Sequence, residues 1–488
     1  IQQPVANESE AMIAFDAITY NKGQALIRML ENYLGEAAFR DGIRAYMAAH
    51  AYGNTTTADL WRALERAGHK PVTDIAASFT EQDGVPLISA ETACDGDAQR
   101  LMLRQGRFVV APARTAALPP RNWQIPVAVG PVGTAQPADV VLLQGSTEVP
   151  AGSCGEAIKV NLGDIGYYRV EYGPASTAAL AKALPQMSPA DRVNFLADDW
   201  AMVQAGRAEP SSYLALVENV GVDDRRPVWD QIIAVFSALN RLSRDRPERA
   251  EVQRYARAKL RPVLDRLGWD GDGSGDDDNT LLRSSLIWTL GELGDEEIIA
   301  EARRRFAGFL REPQSLPAAL RDSVTHVVGI AADRATYDTL LALARKTTVT
   351  NERLRYYYAA ASARDPALAN ATLGLTLINE VSGTIVTGLI GSVASSGERP
   401  DLAWDFLQKN YDALLAKQGP QFRDQFIANF MTNFSDERHA AELAAFAPVQ
   451  ATSGGRMMAV RAQEVIAISA DLKARALPAV DTWIKARK

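Results

Sequence analysis

The sequence predicts a mainly α, multidomain protein with one small all-β segment in its first half. Three observations lead there. At 488 residues the chain exceeds what one hydrophobic core serves, roughly 250–300 residues, and its 47% apolar content can fill several. Apolar spacing is helical from Ala11 to about Thr80, alternates with period two between Pro86 and Tyr172, and is helical again to the end. Gly and Pro punctuate the changes of period, which sets domains at 1–85, 86–172 and 173–488.

In the first segment Leu26, Met29, Leu30, Tyr33 and Leu34 recur on one helix face, and Gly35 ends that helix. A second helix runs from Glu36 to about His50. Turn and capping residues at Asn54–Thr57 open a third, which carries Leu60, Trp61 and Leu64 and stops at Gly68. A short fourth helix spans Val72 to Thr80. The middle segment holds short β-branched or aromatic runs, LMLRQGRF, WQIPVAV, VVLL, AIKVN and GYYRVEY, which predict a small β-sandwich. Beyond Tyr172 helical segments of roughly 12 to 20 residues follow one another, as a solenoid of stacked helix pairs requires.

With 59 acidic against 52 basic residues, net -7, no basic stripe points to nucleic acid. No apolar run approaches the ~18 residues of a membrane span, and no targeting segment opens the chain. Ile1 in place of a methionine suggests a processed product or a fragment.

The usual catalytic patterns are missing. HExxH is absent, and none of His50, His69, His326 and His439 has a second histidine nearby, so no metal site is expected in this chain. GxSxG and phosphate-binding glycine loops are absent too. The acidic run WDGDGSGDDDNTL places Asp270, Asp272, Ser274 and Gly275 like the opening of a calcium loop, but Leu281 stands where the bidentate glutamate belongs, so a solvated linker is the better reading. Cys94 and Cys154 are the whole thiol inventory. Both fall in the β segment, where a disulfide could join neighbouring strands; two separate buried thiols fit the sequence as well.

The stretch FDAITYNKGQALIRML, with Tyr20, Lys22 and Gly23 crowded at a helix start, resembles a segment of zinc aminopeptidases of the aminopeptidase N and puromycin-sensitive family. NTTTADLWRALE, SFTEQDGVPLI, WQIPV, VNLGDIGYYRVEY, ADRVNFLADDWAMVQAG and LAWDFLQKNYDALL resemble that family's later signposts, in its order. The resemblance implies the helical end of a thermolysin-like catalytic domain, then the β-sandwich, then a long HEAT-like α-superhelix. It implies that the full-length protein uses zinc to remove N-terminal residues from peptide substrates. The family's HExxH lies upstream of its tyrosine segment, so the N-terminal catalytic half is a missing partner, and the chain alone is expected to be inactive and to bind no zinc. A non-catalytic scaffold or peptide-binding solenoid is the alternative.

For Tyr20 the resemblance implies a catalytic role. Charge develops on the carbonyl oxygen as a peptide bond is attacked, and a fixed phenol, protonated at neutral pH, stabilises it by donation. Lys22 reads as pairing with a carboxylate or, the better reading, as solvation of the helix start, Arg28 and Met29 as helix surface and core, and Arg169 as half of a structural ion pair rather than a substrate contact. LINEVSGTIV (377–386) lacks the arginine many relatives carry there, which leaves substrate recognition by that element in doubt. Compartment hangs on the thiols: periplasmic or secreted if bonded, cytoplasmic otherwise.

Overall fold

The computed structural model describes residues 5, 7–16, 18–110, 118–133, 139–222, 224–271, 275–419 and 422–487. The chain is mainly α and forms two compact units, Ile1–Gly221 and Val222–Lys488.

The first unit begins with α1 (Glu8–Ile13), a π-helical turn (Ile18–Lys22), α2 (Gly23–Leu34), α3 (Glu36–Ala49), α4 (Thr57–Gly68) and α5 (Val72–Thr80). Gly35 separates α2 from α3 at φ 88°, a left-handed conformation that costs glycine nothing. At the start of α4 the Thr56 N–H donates to Asp59 at 2.9 Å, half of a reciprocal cap. The helical spacing of Leu26, Met29, Leu30, Leu64, Ile75 and Phe79 lays these side chains into one buried cluster.

Among the described residues seven strands follow: β1 (Val85–Asp95), β2 (Ala98–Phe108), β3 (Ile125–Pro131), β4 (Asp139–Leu143), β5 (Ser146–Ser153), β6 (Ile158–Val160) and β7 (Arg169–Tyr172). They form two sheets, ordered β5-β2-β1-β7 and β4-β3-β6. β1 and β2 are an antiparallel hairpin in register from Val85↔Phe108 to Asp95↔Ala98, and β7 runs parallel to β1 with Leu87 opposite Arg169. Ile88 and Leu101 of one sheet, Ile125 and Val160 of the other, and the α2 and α5 residues above belong to the same apolar cluster. Two strands escaped the sequence reading. β5 is an edge strand with Pro150 and Gly152 in it and a mostly exposed side-chain pattern, and β1 is buried at its start but polar and exposed at its end. β1 does not alternate cleanly, and β5 alternates in burial but on residues that read as a turn. Cys94, near the end of β1, and Cys154, just past β5, are joined by a disulfide with Cα atoms 5.4 Å apart. The unit ends with α6 (Pro174–Ala183), α7 (Pro189–Gln204) and α8 (Pro210–Val217).

In the second unit the helices alternate. Arg226–Leu242, Asp277–Glu292, Arg321–Ile330, Thr350–Ala361 and Gly383–Ala394 each pack on the next in that series, while Arg249–Leu267, Glu296–Arg311, Arg334–Lys346 and Pro366–Leu375 pack beside them. Each helix covers its apolar stripe with sequence neighbours. The last helix, Ser453–Lys485, is 33 residues long, beyond the expected lengths, and its distal half returns to the first helices of the unit. There Asp481 pairs with Arg246 at 2.5 Å, Lys473 with Asp245 at 2.7 Å, and Trp483 meets Tyr255 edge-on at 5.3 Å.

Candidate active-site elements

Tyr20 sits in the π-helical turn ahead of α2, a conformation that is rare and frequent at functional sites. Asp16 shapes the turn. Its side chain accepts from the Thr19 N–H at 3.0 Å and its carbonyl from the Tyr20 N–H at 3.2 Å, while the Thr19 hydroxyl donates to the Ala14 carbonyl at 2.7 Å. The turn sends its side chains two ways. Tyr20 is 59% exposed and Phe15, its neighbour at 6.4 Å between ring centroids, is 67% exposed. Lys22 goes inward.

That corrects the reading of Lys22 as solvation. The residue is 4% exposed; its ammonium donates to the Gln82 carbonyl at 3.2 Å and lies 5.7 Å from the centre of the Tyr167 ring. Burial pushes its pKa down, and the nearby Asp83 carboxylate opposes the shift. Asp83 is itself gripped by Arg121 at 2.7 Å and Arg107 at 2.6 Å, which hold it below the usual carboxylate range. Between the turn, the segment from Thr80 to Val85 and Tyr167 lies a cavity of 540 Å3 whose walls include Lys22, Gln82, Asp83 and Tyr167, but not Tyr20. Sequence reasoning assigned no role to Gln82, Asp83 or Tyr167. The motifs SFTEQDGVPLI and GYYRVEY contain them, yet only the fold brings them to the turn.

A second polar centre is buried. Lys159 is wholly inaccessible and donates to the Val160 carbonyl at 2.7 Å and to the Asn194 side chain. Asn194 donates to Asp164 at 3.1 Å. Arg169 pairs with Asp198 at 3.0 Å, and the Val170 N–H donates to the same carboxylate at 3.2 Å. Arg169 therefore makes the structural ion pair expected of it. Burial outweighs both cations and pushes Asp198 up to about 6, as it pushes the Lys159 ammonium down. The loop before β7 is held by Asn161, whose side-chain oxygen accepts from the Ile165 and Gly166 N–H groups at 3.1 and 2.7 Å. Most of the VNLGDIGYYRVEY stretch thus serves the packing of β6 and β7 on α7, while Tyr167 faces Lys22 and Phe79.

Arg28 is exposed and Met29 buried at 1%, as read. His326 stacks on Trp288 and bonds Glu292 at 3.1 Å; His439 stacks on Phe434 and bonds Asp436 at 2.7 Å. In the acidic run Asp270 is bound by Arg305 through two hydrogen bonds of 2.6 and 2.9 Å, while Asp272 and Ser274 lie outside the described residues. Among the described residues no group of three or more His, Cys, Asp or Glu could hold a metal ion, and no helix is long and apolar enough to cross a membrane.

Comparison with known proteins settles the family. The profile of the ERAP1-like C-terminal domain matches residues 157–468, and that of the peptidase family M1 domain matches residues 1–79. The chain belongs to the M1 aminopeptidase family. Aminopeptidase M1-C of Oryza sativa subsp. japonica is 29% identical over 491 residues, covering 96% of this chain and 55% of that protein. Aminopeptidase M1 of Arabidopsis thaliana is 29% identical over 473 residues, 91% of this chain and 52% of the relative, and human glutamyl aminopeptidase is 27% identical over 425 residues, 84% and 44%. The chain thus spans about half the length of the M1 relatives it matches. M1 aminopeptidases are generally zinc-dependent, and among the described residues of this chain no group fits a zinc site.

Proposed function

We propose that this chain is the part of a zinc aminopeptidase that lies after the metal-binding segment, and that it supplies Tyr20 to the reaction. As a peptide carbonyl is attacked and its oxygen gains charge, the Tyr20 phenol donates a hydrogen bond to that oxygen, an interaction stronger in the transition state than before it. The observation that carries this reading is the contrast within one turn: Lys22 is locked inward, while Tyr20 is 59% exposed on a backbone its neighbours hold in place. Peptide substrates and an N-terminal half carrying HExxH are the partners. In this reading residues 1–85 complete the catalytic domain, 86–172 form the β-sandwich and 173–488 the HEAT-like superhelix. The bonded Cys94 and Cys154 favour an oxidising compartment, periplasmic or secreted.

Alone, the chain is expected not to hydrolyse aminoacyl anilides with or without added zinc; clear turnover would contradict the proposal. An in-frame HExxH and a later glutamate are expected before Ile1 in the gene. A start codon directly ahead of Ile1 would favour the non-catalytic scaffold instead. In a protein carrying that segment, Tyr20→Phe should lower kcat about 10²–10³-fold at unchanged zinc content. A mild effect would remove the tyrosine from the chemistry.

A further inference from the structure

A second cavity of the first unit, 640 Å3 in volume, lies among β1, β7, α6, α7 and α8, within the size range of small-molecule sites. Tyr172, Phe195, Met202 and Leu216 give it hydrocarbon walls. Four carboxylates also line it, Glu91, Glu171, Asp198 and Asp199, against the single guanidinium of Arg207.

Two of the four are matched. Arg207 holds Glu171 by hydrogen bonds of 2.8 and 2.5 Å, and Arg169 holds Asp198. Glu91 is exposed and solvated. Asp199 is different. It is only partly accessible, its partner is the neutral Ser212 hydroxyl at 2.7 and 3.0 Å, and among the described residues no Lys, Arg or His pairs with it. The adjacent Tyr213 hydroxyl, which feels the Asp199 charge, is buried with no hydrogen-bond partner. Ion and polar groups enclosed beside hydrocarbon are matched in folded proteins, because leaving them bare is costly. Here the protein matches every enclosed carboxylate of the cavity with a cation except one.

We propose that this cavity binds a small organic monocation: a primary amine with a hydrocarbon body, its ammonium on Asp199 and its body against Phe195, Met202 and Leu216. The site is separate from the Tyr20 turn and does not depend on the aminopeptidase reading. A charge-assisted bond to Asp199 supplies selectivity, since a neutral or anionic ligand of the same length leaves the carboxylate unmatched.

Isothermal titration of the chain with n-hexylamine at neutral pH should give saturable binding, while n-hexanol and hexanoate should give none. Asp199→Asn keeps an acceptor for Ser212 and should weaken n-hexylamine by about tenfold or more. Ala178→Leu, at the exposed rim of the cavity, fills space without touching the carboxylate and should also weaken it; this variant decides the matter if Asp199→Asn does not fold. The proposal is overturned if n-hexylamine gives no saturable heat, if n-hexanol binds as well as the amine, or if the folded variants bind the amine with unchanged affinity.

Discussion

Two polar centres of the first unit, both within stretches that resemble family signposts, are built in opposite ways. At the turn of residues 18–22 the tyrosine stands in solvent and little of the surrounding core needs it. Around Lys159 and Asp198 both charges are buried and every ionic group is bonded, with Arg169 partly open to solvent, and β6, β7 and α7 hang on the arrangement. A recognisable motif therefore does not say what its residues are for. Exposure combined with a fixed backbone marks a group free for chemistry; burial combined with full hydrogen bonding marks one committed to the fold.

The largest expected effect tests the buried centre. Asp198→Ala leaves Arg169 and Lys159 without their shared counter-charge and should cost about 3–5 kcal/mol in urea unfolding. A loss below about 1 kcal/mol would mean that the centre is not structural. The disulfide is a second hold on the same sheet: it closes a loop of 60 residues, so replacing Cys94 and Cys154 by Ser should cost about 2–4 kcal/mol. Unchanged melting under reducing conditions would refute that.

Asp199 gives a smaller effect with a defined sign. Burial raises its folded carboxyl from 3.8 to about 6, so between those pH values the folded state holds more protons than the unfolded chain. The charged carboxylate consequently works against the fold above pH 6, and this burden disappears as pH falls towards 4. Without ligand, Asp199→Asn should stabilise by about 2 kcal/mol at pH 7.5 and by almost nothing near pH 4. A gain independent of pH would exclude the buried charge as its cause. Smallest of all, Tyr20→Phe should change stability by no more than about 0.5 kcal/mol. A large loss would move Tyr20 from the free class to the committed one and erase the contrast between the two centres.

Much of this architecture is legible in the sequence where one rule acts locally. Gly35 and Gly68 mark helix ends because a break needs only the residues beside it, and the stripe through Leu26, Met29 and Leu30 reports a buried face directly. β5 was not legible, since its inward residues Thr147, Val149 and Ala151 are small and Pro150 and Gly152 between and after them read as a turn. The site was legible in part. Tyr20 stands out through its neighbours in the chain, but the burial of Lys22 depends on Gln82, and the pairing of Arg169 with a particular aspartate depends on α7, 29 residues later. Spacing rules do not reach that far. The lone charge of Asp199 is invisible in principle, because it consists of cations that are elsewhere.

The return of the final helix to Arg246 and Tyr255 carries a consequence for biosynthesis. Asp245 and Arg246 meet partners 228 and 235 residues further along, so on the ribosome the opening helices of the second unit wait, half-covered, until almost the whole chain has been translated. A polypeptide stalled shortly before Lys473 would expose the apolar surface around Tyr255 to chaperones and proteases, and quality control would see an unfinished molecule even though most of its helices had already formed.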